Sequence, residues 1–83
     1  MCFFRARITL AADIEAGAGA TDIATLDSAY APDGHATSLT LYVNDADVND
    51  AVARITIGGV FGIKTGTTIK AGTQVYLEGC WNY

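Results

Sequence analysis

Four stretches of this chain alternate apolar and polar side chains with a period of two, the signature of a strand buried on one face. Residues 3–10 place Phe4, Ala6, Ile8 and Leu10 on one side and Phe3, Arg5, Arg7 and Thr9 on the other. The clearest case is 37–43, where Leu39, Leu41 and Val43 oppose Ser38, Thr40 and Tyr42. Residues 52–57 give a further strand, with Val52 and Arg54 offset from Ala53, Ile55 and Ile57. The last strand, 74–81, sets Val75, Leu77, Gly79 and Trp81 against Gln74, Tyr76, Glu78 and Cys80.

Between these stretches the chain is punctuated by turn formers. Ala31-Pro32-Asp33-Gly34 combines a fixed φ with residues that tolerate positive φ, and Lys70-Ala71-Gly72 precedes the last strand. Gly58-Gly59 marks a bulge or sharp bend before Val60-Phe61. Residues 11–36 differ in texture, being rich in Ala, Gly and Asp and poor in aliphatic bulk. Gly17 and Gly19 break any helix there, although Thr21 or Asp22 is placed to cap a short helical turn over 21–26. The expectation for 11–36 is a long surface loop or arm, a feature that in compact domains tends to be functional or mobile. Short strands, Gly-rich turns and no helical period predict a mostly β protein, a small antiparallel β-barrel or sandwich with that arm near its N-terminus.

The 83 residues bound this to one domain, 1–83, with no room for a second core. At 51% hydrophobic and 17% charged the chain is apolar for its surface-to-volume ratio, so some apolar surface is expected to meet a partner, unless alanine inflates the count. The net charge of −4 argues against nucleic-acid binding through phosphates. Eight of the nine acids fall in residues 1–50 and three of the five cations in 51–83. If the halves occupy different faces, that polarity could orient the molecule on a charged partner; if they interleave, it means little. Met1-Cys2-Phe3-Phe4 runs into Arg5 and Arg7 without a cleavage pattern, and no stretch is apolar enough to span a membrane, so a soluble chain without an export signal is expected. Cys2 and Cys80 are then two reduced thiols by default, or a bridge if the terminal strands adjoin under oxidising conditions.

Catalysis requires a nucleophile or metal beside a base and an orienting group. The one histidine, His35, flanks a turn near Asp33, where solvated punctuation is the ordinary role. Asp45, Asp47 and Asn49 alternate like a calcium loop, but Asp50 stands where glycine is needed and Thr56 where a bidentate glutamate belongs. Residues 62–68 echo a phosphate loop loosely, without its lysine and helix in place. No enzyme, metal or cofactor is expected. The aromatic residues at the two ends carry more information: Phe3, Phe4, Trp81 and Tyr83, with Tyr76 on the last strand, either fill the core between paired terminal strands or project to anchor a partner.

Residues 55–79 resemble the C-terminal half of the small capsid decoration, or cement, proteins of tailed phages. The matching residues are Gly59, Val60 and Phe61, followed by Ile69, Gly72, Val75 and Tyr76, with an Asp/Ala-rich turn before them at 44–51. The resemblance implies a β-barrel or β-tulip-like module, commonly a homotrimer, made in the host cytoplasm. It would sit on the exterior of an expanded head and clamp major capsid protein subunits. Residues 11–36 have no counterpart in it. Two other readings remain: a ring-forming tail or neck component, and a small-molecule-binding barrel with a pocket between Tyr42, Phe61 and Trp81.

Overall fold

The computed structural model describes residues 2–17, 19–45 and 47–83, with Cys2 described by its backbone alone. The alternation of 37–43 becomes strand β3 (Thr37–Val43), with Leu39 and Val43 buried and Ser38, Thr40 and Tyr42 facing out. The first and last alternating segments become β1 (Cys2–Thr9) and β6 (Gln74–Trp81), and their polar faces point the same way as that of β3. The fourth is shorter than its pattern: β4 (Val52–Ile55) stops before Ile57, which is exposed in the turn that leads to β5 (Val60–Lys64). One more strand, β2 (Thr21–Thr25), completes the set.

All six form one antiparallel sheet in the order β1-β6-β3-β4-β5-β2, curled into a half-barrel. Its concave side holds the core. Ile55, Ile63, Ile69, Val75 and Leu77 are no more than 1% exposed, and burying each stabilises the fold by about 1.5–3 kcal/mol. Phe61 and Trp81 are also buried, and Phe4 packs between them, with ring centroids 4.8 Å from Phe61 and 5.9 Å from Trp81.

The β4–β5 connection is a tight turn in which the Gly59 N–H donates to the Thr56 carbonyl at 2.9 Å. Gly59 has φ +85°, and a Cβ there would collide with the Leu26 carbonyl oxygen, so only glycine fits. The preceding segment depends on that fit, because the Leu26 N–H donates to the Gly59 carbonyl at 2.7 Å.

The arm expected over 11–36 is not confirmed: the described residues of this segment are mostly exposed, as in a surface loop, but they are tied back to the sheet. Ile14 is 1% exposed and pairs with Ile69 in an isolated bridge, each N–H donating to the other's carbonyl at 2.8 and 2.9 Å. Around it, Leu10 N–H bonds to Thr73, Gly17 N–H to Thr65, and the Ala71 N–H to the Asp13 carboxylate at 2.7 Å. Residues 21–25, read as a helical turn, are instead β2, paired with β5 across a register shift between Asp22 and Ala24. The helical turn comes later, a 3₁₀ turn at Ser28–Tyr30 capped by Asp27. The physical reason is long-range. Among the described residues of 11–20 one isoleucine supplies the buried bulk, and its backbone partner is Ile69, far along the chain.

Candidate protein-interaction face

The pleat of β1, β6 and β3 sends the odd residues of β1 and the even residues of β6 and β3 to the convex side. Two rows cross these strands there. Arg5 stands opposite Glu78, which stands opposite Thr40; Arg7 stands opposite Tyr76, which stands opposite Tyr42. In the first row Arg5 Nε reaches Glu78 Oε2 at 3.2 Å, and the guanidinium lies 5.9 Å from the ring of Phe3. In the second, the Tyr42 and Tyr76 rings lie 5.6 Å apart at 55°. Phe3 and Tyr42 are 64% and 62% exposed, so this aromatic surface is open to solvent.

The charge pattern sharpens the picture. First-half strands β1, β2 and β3 interleave with second-half strands β4, β5 and β6, so the half-chain asymmetry does not separate into two faces. The asymmetry is between face and loops. Arg5, Arg7, Arg54 and Lys64 project from the convex face beside Glu78 and Asp22, whereas the remaining acids sit in connecting segments. Lys70, the fifth cation, is 3.8 Å from Asp13 at the loop seam. The acidic molecule thus presents a locally basic, aromatic sheet face. Tyr, Phe and Arg are residue types enriched where proteins bind proteins.

The four terminal aromatics do not form one patch. Phe4 and Trp81 turn inward; Phe3 joins the convex face; Tyr83 lies next to Tyr30 at the end of the barrel, rings 5.6 Å apart. The residues that carry the family resemblance divide between roles: Phe61, Ile69 and Val75 are core, Gly59 and Gly72 are turn residues at positive φ, and Val60 and Tyr76 face outward. Tyr42 is the member of the face that the end-aromatic reading missed. Its signal was a large ring on the side of β3 otherwise lined by Ser38 and Thr40.

The remaining sites expected from sequence fall apart in space. Tyr42 lies on the opposite side of the sheet from Phe61 and Trp81, so these three line no common pocket. His35 is exposed, with Nδ1 3.0 Å from the Ala36 carbonyl, and the Asp33 N–H is engaged by the Asn82 carbonyl. In the acidic turn the Asp45 carboxylate accepts the Asp47 N–H at 3.0 Å; Ala46 between them lies outside the described residues. Among the described residues no cluster of three His, Cys, Asp or Glu side chains converges as a metal site would. Cys80 is exposed and stands opposite Phe3 in the register, while the Cys2 side chain, and with it the question of a bridge, lies outside the described residues.

No protein-family model matches the chain, and neither a curated protein nor a solved structure does.

Proposed function

We propose that this protein is a structural component that works by binding other protein subunits through the convex face of β1, β6 and β3. The observation that carries the reading is the Arg7-Tyr76-Tyr42 row, with exposed Phe3 on the same face beyond the Arg5–Glu78 row. Exposed rings left in water forgo the stabilisation of burial, and a face that groups them with arginines gains most by docking. A core this small supplies modest stability alone, so subunit contacts would also stabilise the fold by mass action.

The resemblance of 55–79 narrows the partner. The chain is read as a decoration protein on the exterior of a phage head, stabilising contacts between major capsid protein subunits and assembling with its own copies as a homotrimer. Its aromatic face would meet the capsid lattice.

The test is direct. Purified chain is mixed with expanded heads that lack decoration, the heads are pelleted, and bound copies per capsid subunit are counted. Saturation at a fixed ratio, with heads that then survive more heat, supports the role. A folded chain that stays in the supernatant with every such head sinks it. In that event a native ring-shaped assembly would point to a tail or neck component.

A further inference from the structure

The sheet ends in two strands that are paired on one side only: β1 bonds to β6, and β2 bonds to β5. Free edge N–H and C=O groups are a template for an added strand unless the edge is blunted. β2 is blunted, being five residues long and broken by the register shift between Asp22 and Ala24. β1 is not. It runs eight residues in unbroken register with β6 and contains neither proline nor lysine. Its inward side chains Phe4, Ala6 and Ile8 are only half-buried, whereas Ile55 and Ile63 on the middle strands are 0% exposed.

We infer that the free edge of β1 accepts an extended segment of the partner protein as a seventh strand, and that this segment carries acidic, large apolar and acidic side chains in succession. Charge selects the occupant. Arg5 and Arg7 both project outward from the edge strand; among the described residues Glu78 pairs with Arg5, and no carboxylate pairs with Arg7. A strand added antiparallel to β1 brings its own outward side chains directly opposite these arginines, where opposite charges attract and like charges repel. The residue between them turns inward against Ala6, the smallest inward side chain of the strand, where a large apolar group fills the step between Phe4 and Ile8.

The same rule excludes the simplest alternative, a second copy of β1. The antiparallel registers that overlap seven residues and keep outward side chains opposite outward ones set Arg5 against Arg5 or Arg7 of the other copy, and the eight-residue register sets Arg5 against Ala6, outward against inward. The edge is therefore built for a partner of different sequence. This inference rests on the subunit-binding role and names its main-chain contact.

The probes are two short synthetic peptides, one alternating glutamate with leucine and valine, the other with lysine in place of glutamate. Each is titrated into the isotope-labelled full chain and followed by amide NMR and hydrogen exchange. The glutamate peptide should shift and protect β1 amides, and the lysine peptide should bind about tenfold more weakly. The R5E/R7E variant should reverse that order; both arginines are exposed, and its thermal unfolding reports whether it remains folded. Equal affinity for the two peptides, or shifts at β2 in place of β1, overturns the inference. The head-pelleting assay separates it from the functional reading. If wild type and R5E/R7E bind heads equally, the edge inference falls and the decoration role stands. If the glutamate peptide docks on β1 while no head binds the wild type, the edge inference stands and the decoration role falls.

Discussion

Phe4 on β1 stacks on Phe61 on β5, ring centroids 4.8 Å apart, although three strands separate them in the sheet. Only a sheet that curls strongly enough to bring its first and fifth strands across one interior allows this contact. Phe61 is buried and Phe4 half-buried, so truncation at the two sites should differ. Phe61→Ala is expected to destabilise by about 3–5 kcal/mol, and Phe4→Ala by roughly half that. Chemical denaturation followed by fluorescence measures both, since Trp81 lies 5.9 Å from Phe4 and reports on the same cluster. Equal losses at the two positions would show that Phe4 is as enclosed as Phe61.

Ile14 anchors the otherwise exposed residues 11–17 to the core. Ile14→Ala should cost about 2–5 kcal/mol, the range for a large aliphatic group removed from a packed interior. In the intact protein, hydrogen exchange at Ile14 and Ile69 should be slow, because each amide is bonded to the other's carbonyl. Rapid exchange at both, or a near-neutral Ile14→Ala, would return this segment to the status of an arm.

Two glycines are set by what surrounds them. At Gly59 a side chain meets the Leu26 carbonyl and an unfavourable φ together, so Gly59→Ala should destabilise by about 2 kcal/mol or more. Gly79 has no positive φ, but a Cβ there runs into the Leu39 side chain and approaches the Trp81 ring at 3.2 Å. Gly79→Ala should therefore cost about 1–3 kcal/mol through overpacking, and the near-UV signal of Trp81 should change with it. Gly34→Ala is the useful control for φ alone, because nothing lies within 4 Å of its missing Cβ.

The convex face makes a different kind of prediction. Tyr42→Ser combined with Tyr76→Ser should change unfolding free energy by about 1 kcal/mol or less, since both rings project to solvent. The same pair should abolish head binding if these rings anchor the partner, as central aromatic contacts often carry 2 kcal/mol or more each, on the order of a thirtyfold loss. Undiminished binding by the folded double variant would move the contact off this face.

How much of this was legible in sequence depends on the element. β1, β3 and β6 show in the pattern because large inward side chains alternate with outward polar ones along a regular register. β2 does not, because the shift between Asp22 and Ala24 breaks the period and leaves Ile23 and Ala24 both half-buried. Ile14 gives no local signal, since its strand-like geometry is imposed by Ile69. Phe3 and Phe4 are adjacent and separate by parity onto opposite sides of β1, which the alternation does reveal. Tyr83 lies beyond the end of β6, where no parity rule operates, and its position beside Tyr30 comes from the clasp in which Trp81 Nε1 donates to the Tyr30 carbonyl at 2.8 Å.

The pairing of β1 with β6 also sets a timetable. The strand synthesised first in this sheet hydrogen-bonds only to the one synthesised last, so on the ribosome β1 stays without its partner until nearly the whole sheet has been made. Such non-local closure places refolding in the range of about milliseconds to seconds. Throughout that interval both edges of β1 are bare, and the like charges of Arg5 and Arg7 oppose close pairing of that strand with the same strand of another copy.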